Sequence, residues 1–326
     1  MKALVTGATG FVGSHLAAHL AGRGDDVRCL ARQPAAAAWL AAAGAQIVPG
    51  SLDDAASLRA AVVGVDVVFH LAGATAAASE AEFLAANAAG TARLLEAAAA
   101  ARPPLARFVY ISSLAAVGPA LPGRPVTEGS PCRPVTAYGR SKLAGEEIVR
   151  RAALPWTIVR PTAVYGPRDR ELLRMFRLAR FGVAPVFGRG RQELSLVYVE
   201  DLAVGLARAG VAPAAAGATY HLAHPAVVLA RDLVREIGLA VRGRAPVILP
   251  VPPAMAARVV RAIARAAAAA GRRTVVSEDK MAEFLAPSWA TSVAKAQQDL
   301  EWRPAHDLRS GVAVTAEWYR AEGLLA

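Results

Sequence analysis

The sequence predicts an α/β protein: a doubly wound parallel sheet carrying a smaller, mostly helical lobe. Three observations carry this prediction. Short apolar runs alternate with helix-like segments through the first half, the signature of βαβ units. A glycine-rich turn joins the first strand to the first helix. After Pro161 the alternation gives way to loops and proline-broken helical stretches.

Strands are expected at 2–6, 26–30, 46–49, 66–72, 107–112 and 156–161. The segments between them are long enough for right-handed crossover helices. Beyond Pro161 a helix is expected at about 170–181. "SLVYVEDLAVGLARA" reads as a further strand and helix, and "ATYHLA" as a short strand. The C-terminal third, from about 225, reads as mostly helical with proline breaks at "LPVPP". A nucleotide-binding domain over 1–165, re-entered at about 196–223, is therefore expected, with 166–195 and 224–326 forming a substrate lobe.

The chain has 326 residues, 55% of them hydrophobic, enough for a sizeable core and incompatible with general disorder. Its apolar runs fall short of the ~18 residues a membrane-spanning helix needs, and "MKALVTG" lacks the core of a signal peptide. Cys29 and Cys132 stand in no metal or redox spacing, which fits a reducing, cytoplasmic setting. A net charge of +11 raises the question of nucleic acid. However, only four of the 37 basic residues are lysines, and the arginines are scattered without aromatic interleaving. Nucleic-acid binding is not expected.

"VTGATGFVG" places Gly7, Gly10 and Gly13 in G-x-x-G-x-x-G spacing at the strand-to-helix turn. Gly7 permits the tight turn, Gly10 lets the backbone approach a pyrophosphate, and Gly13 allows close helix–strand packing. The phosphates would then meet the positive end of the helix. These are the features of a Rossmann-type dinucleotide site. An acidic residue after the second strand would select NAD(H) through the ribose 2′-hydroxyl. "CLARQP" has Arg32 there instead, which can pair with a 2′-phosphate and favours NADP(H) over NAD(H).

In "TAYGRSKLAGEE", Tyr138 and Lys142 are four positions apart, one above the other on a helix. A cation alongside is expected to lower the phenol's pKa from its ordinary value near 10, suiting it to proton transfer at neutral pH. Ser112 and Ser113 end the preceding strand, at the sheet edge where ligands bind.

This combination resembles the extended short-chain dehydrogenase/reductase family over nearly the whole chain. The likeness is carried by "TGATGFVG", "HLAG", "NAAGT", "YISS", "YGRSK", "RPTAVYGP", "VYVEDLA" and "DLEWRP", in the family's order. It implies Tyr138 as the catalytic acid/base, Lys142 as the group that tunes it and holds the nicotinamide ribose, and Ser113, rather than Ser112, as the residue that orients the carbonyl. It implies cofactor contacts from Gly7, Thr9, Gly10, Phe11, Val12, Gly13, Arg32, Ser51, Leu52, Leu71, Ala72, Gly73, Asn87 and Ile111, and from Pro161, Thr162, Ala163 and Val164 beside the nicotinamide. His70 matches a family position beside the cofactor and is given no catalytic role. Ser51 stands where the family usually has an aspartate near the adenine, with Asp53 as a partial substitute.

The resemblance leaves three readings open: a dehydrogenase or reductase of an apolar alcohol or ketone, a nucleotide-sugar epimerase or dehydratase, and a noncatalytic dinucleotide sensor. Leu194, Ser195 and Leu196 replace a run that carries a diphosphate-binding arginine in the epimerases. Together with "VRCLARQP" and the proline-rich tail, this makes the chain more like 3β-hydroxysteroid dehydrogenases and dihydroflavonol reductases. The expected partners are a small apolar substrate and a second copy in a homodimer. A helix over 254–273, with Arg258, Arg261 and Arg265 on one face, reads as an ordinary surface helix. Contact with a membrane surface is the alternative for that helix.

Overall fold

The computed structural model describes residues 1–252, 254–255, 258, 262, 266 and 278–325. The expected helix over 254–273 therefore lies almost wholly outside the described residues.

Six short strands alternate with helices as the apolar runs predict. They are β1 (Lys2–Thr6), β2 (Asp26–Ala31), β3 (Gln46–Pro49), β4 (Val67–His70), β5 (Arg107–Ile111) and β6 (Trp156–Pro161). The crossovers include α1 (Phe11–Gly22), α2 (Ala38–Ala42), α3 (Ala55–Val62), α4 (Glu80–Leu84), α5 (Gly90–Ala99) and α6 (Ala137–Arg150). β4 and β5 are buried along their whole length, because helices cover both faces of a parallel sheet.

Beyond β6 the chain forms β7 (Ala163–Tyr165), α7 (Leu173–Ala179), β8 (Val183–Phe187), β9 (Glu193–Leu194), β10 (Leu196–Tyr198), α8 (Val199–Val211) and β11 (Ala218–Leu222). β11 rejoins the main sheet beside β6, giving seven parallel strands in the order β11-β6-β5-β4-β1-β2-β3. α8 packs on α1. The crossover direction reverses at β1, which opens a crevice at the carboxyl ends of β1 and β4, the place where such sheets bind ligands.

The remaining elements build the lobe: β12 (Val228–Leu229), α9 (Ala230–Arg242), β13 (Val247–Val251), α10 (Glu278–Leu285), β14 (Ser288–Trp289), α11 (Ala294–Asp299) and α12 (Leu308–Ala321). This third is less purely helical than its composition suggests. β12 and β14 flank β9, and β13 pairs with β8. Strands of two to five residues are too short to display a period, so they carry no sequence signal of their own.

Two cores flank the main sheet, one on the α1–α8 side around Leu16, Val5 and Trp302, the other around Leu4, Leu94 and Phe108. A third, with Tyr165, Phe176 and Tyr319, holds the lobe together. Among the described residues, no helix is long and apolar enough to cross a membrane.

Candidate active site

The glycine loop closes the crevice at β1. Gly7 has φ +73°, and a Cβ there would lie 2.7 Å from the Ala72 nitrogen, so only glycine fits the turn. A Cβ on Gly13 would lie 2.2 Å from the Gly7 carbonyl oxygen, which fixes how closely α1 approaches β1. Gly10 caps α1 with extended backbone and without a side-chain cap. It and Thr9 are exposed, and Phe11 and Val12 are half-buried. The first-turn N–H groups of α1 thus face the crevice side of the loop.

Arg32 follows β2 and is exposed. Ser51 Oγ accepts from the Asp53 nitrogen at 3.2 Å, and Leu52 packs on the α5 start beside Gly90. The Asp53 carboxylate is drawn to Arg93 of α5, at 2.5 Å. Its charge is therefore already paired, which weakens it as a stand-in for the family's aspartate.

Across the crevice, Leu71, Ala72 and Gly73 follow β4. Gly73 leaves room for Asn87, whose Oδ1 would lie 2.4 Å from any Cβ there. The Asn87 amide bonds both the nitrogen and the carbonyl of Ala74, at 2.8 and 3.0 Å, and donates to Ser141 Oγ at 2.9 Å. It ties the β4 loop to α6, so it shapes the site from behind. His70 is fully buried between Thr6 and Thr91, and burial drives its pKa down to about 3. A neutral imidazole with both nitrogens bonded has no proton to trade at neutral pH.

α6 begins where Thr136 caps the Gly139 nitrogen at 3.1 Å, and this sets Tyr138 on the first turn. Ser113 acts on the Tyr138 hydroxyl and lowers its pKa, and Ser113 Oγ accepts from the Ala115 nitrogen at 3.1 Å. The ring of Phe83 on α4 meets Tyr138 edge-on at 6.0 Å, and the Arg140–Glu80 pair clamps α4 to α6. Burial pushes the phenol up to about 12. The Ser113 bond lowers it, while the carboxylates of Glu283 and Glu171 raise it further.

The expected lysine effect on that phenol is not what the geometry shows. Lys142 is buried, donates to the Ile111 carbonyl at 2.7 Å and lies 4.9 Å from the Tyr110 ring centre. Its ammonium is turned to the end of β5 rather than to the Tyr138 oxygen. Burial pulls its pKa down to about 8 against the opposing charge of Glu146.

The two serines separate cleanly. Ser112 Oγ donates to Glu146 Oε1 at 2.6 Å, deep in the core, and Glu146 in turn holds Arg160 of β6. Ser113 points to Tyr138. Pro161 ends β6 and is buried, Thr162 follows half-buried, and Ala163 and Val164 open β7. Among the described residues, Thr162 Oγ1 is buried and has no partner, a hydroxyl that could meet an amide such as that of a nicotinamide ring. With the two glycine cradles, this makes the residues present a good fit for a bound dinucleotide.

Sequence reasoning missed Phe83, Glu171, Glu283, Glu146 and Arg160. Phe83 meets the Tyr138 ring, and the charges of Glu171 and Glu283 act on the phenol, only through the tertiary fold. Glu146 carried one signal: it lies one turn beyond Lys142 on the same helix face.

Fold and crevice define a Rossmann-type dinucleotide-binding protein. The chain belongs to the NAD dependent epimerase/dehydratase family, whose sequence model matches residues 3–223. It is 37% identical over 203 residues to a ceramide reductase of Caulobacter vibrioides, covering 62% of this chain and 58% of that protein. It is 36% identical over 191 residues to a 4-hydroxy-2-methyl-3-oxo-4-farnesyl-3,4-dihydroquinoline-1-oxide ketoreductase of Stigmatella aurantiaca, covering 56% of this chain and 57% of that one. The chain thus spans less than two thirds of the length of these relatives. Among solved structures, MoeE5 with UDP-glucose and NAD superposes with a TM-score of 0.78 at 24% identity, over 99% of both chains. At that identity the likeness speaks for the fold alone.

Proposed function

We propose that this protein is an NADP(H)-dependent reductase of a ketone on an apolar skeleton, sterol-like, polyketide-like or aromatic. The observation that supports the reading is Tyr138 on the first turn of α6 with Ser113, at the end of β5, lowering its pKa against the burial that holds the phenol near 12. A phenol with that value is protonated at neutral pH, the form that gives a proton to a carbonyl oxygen.

Gly7, Gly10, Gly13, Arg32, Leu71–Gly73 and Pro161–Val164 would hold the dinucleotide, which supplies the hydride when bound. Ser113 orients the substrate oxygen. As the carbonyl carbon is reduced, the Tyr138 O–H bond breaks and its proton goes to that oxygen, leaving a secondary alcohol. Lys142, whose ammonium is held at the end of β5 by the Ile111 carbonyl, would contact the nicotinamide ribose. Arg32, free of any acidic neighbour in "CLARQP", selects the 2′-phosphate.

The substrate class is supported by the apolar lobe, where Leu194 sits in register with Val228 and Trp289, and by the Phe83 ring against Tyr138, which suit an apolar ligand. The two relatives named for lipid-like ketone or ceramide reduction support the same reading. Nucleotide-sugar conversion is the second reading, supported by a dTDP-glucose 4,6-dehydratase of Actinoplanes that is 27% identical over 98% of both chains. It needs cations for a diphosphate, and Leu194 occupies the position where the epimerase-like pattern has one. Purification, identification of any bound dinucleotide and a screen of apolar ketones with NADPH against UDP- and dTDP-sugars test the two readings side by side.

A further inference from the structure

The lobe exposes an apolar ribbon. β13 runs parallel to β8 with Val247 opposite Val183, Leu249 opposite Pro185 and Val251 opposite Phe187. Alternation divides the ribbon into two faces. The inner face of β8, Ala184 and Val186, is buried against Met175 and Val234. Among the described residues, the outer face is only partly covered. Val247 is 64% exposed, Leu249 44%, and Phe181, at the turn leading into β8, 77%. Even Ile248, on the inner side, is 36% exposed, because β13 is an edge strand. Continuous apolar exposure on an edge marks an interaction surface.

Its surroundings are cationic. Residues 172–192 contain five arginines and no carboxylate, and residues 233–252 add three arginines against Glu236 alone. Arg177, Arg180, Arg189 and Arg244 are all exposed. The ribbon also reaches α10, where Phe187 stacks on Phe284 at 5.8 Å.

We propose that the β8–β13 face docks on an anionic phospholipid bilayer, its apolar side chains entering the interface and its arginines meeting the headgroups, so that the protein sits where a membrane-dissolved substrate is. Apolar insertion supplemented by cation–headgroup attraction is how peripheral proteins bind such surfaces. The inference rests on the apolar-ketone reading for its purpose, though its test does not.

Flotation of the full chain with vesicles of phosphatidylglycerol and phosphatidylcholine, and with phosphatidylcholine alone, decides it. The wild type is expected to float with the anionic vesicles and to be released by high salt. Val247→Ser with Leu249→Ser should lower partitioning about tenfold or more. Arg180→Ser and Arg244→Ser should each lower it about fivefold. Circular dichroism of these exposed-site variants checks that they fold. Failure of the wild type to float with either vesicle, or binding unaffected by both sets of substitutions, overturns the proposal. Self-association abolished by the ribbon substitutions, with no vesicle binding, also overturns it in favour of an interface between copies. Reduction of a short-chain, water-soluble ketone without vesicles is measured separately. Its failure would sink the functional reading and leave the flotation result standing.

Discussion

Glu146 and Arg160 form a bidentate pair, Nε to Oε1 at 2.7 Å and Nη2 to Oε2 at 2.6 Å, with both side chains almost wholly out of water. The same carboxylate accepts from Ser112 at 2.6 Å and from Arg150 at 2.7 Å. It therefore ties together the end of β5, helix α6 and strand β6, the three elements that carry Ser113, Tyr138 with Lys142, and Pro161–Val164. Burial opposes the charge on Glu146, yet Arg160 keeps its pKa below the ordinary glutamate value.

Glu146→Gln is expected to destabilise the protein by about 3 kcal/mol, since it leaves the Arg160 charge buried without its partner. Urea unfolding checks the value. A loss under about 0.5 kcal/mol would show that the pair is spanned by water and holds nothing in place.

The alkaline limb of activity is expected to track Lys142. Its folded-state value of about 8 lies below the ordinary lysine value, so the ammonium is present below that pH and lost above it. kcat/KM should fall as pH rises through about 8. Since Glu146 raises the Lys142 value, Glu146→Gln should move the limb to lower pH. An unmoved limb in that variant would separate the limb from Lys142.

Much of this site was legible in the sequence, for a physical reason. The glycine turn, the Tyr138–Lys142 spacing and the serines at the end of β5 are local patterns, and local patterns survive without tertiary information. The lysine's orientation was not legible. Spacing placed it on the phenol's helix face, but the Ile111 carbonyl, presented by a strand more than 30 positions upstream, claims its proton. The lobe was poorly legible because β9, β12 and β14 each have two residues and exist only through one another. Phe83 reaches Tyr138, and the Glu283 charge acts on it, from elements distant in the chain, and nothing near them in the sequence announces this.

Acid should weaken the fold through buried histidines. Burial lowers His70 and His221 to about 3 and His15 to about 4. Below the ordinary value of 6.5 the unfolded chain takes up protons that the folded chain does not, so stability falls as pH drops. The loss is about 2 kcal/mol per histidine by pH 5. Thermal melts at pH 7 and pH 5 measure it, and His70→Gln should flatten the dependence. Equal melting temperatures at the two pH values would contradict the assignment of neutral, buried imidazoles.

Arg32→Ala should raise KM for NADPH about tenfold and change KM for NADH less than about twofold, because one charge-assisted contact to the 2′-phosphate is lost. Equal changes for both cofactors would make Arg32 a plain surface residue.

The central claim is proton delivery from Tyr138 to an apolar ketone. The direct measurement is steady-state reduction of such a ketone with NADPH by the wild type and by Tyr138→Phe, with cofactor affinity measured alongside. The wild type should form alcohol in step with the NADPH it consumes. In the variant, kcat should fall by more than about a hundredfold, with cofactor affinity nearly unchanged. A variant that keeps more than about a tenth of wild-type kcat, or a wild type that interconverts UDP- or dTDP-sugars with no net reduction of apolar ketones, would contradict it.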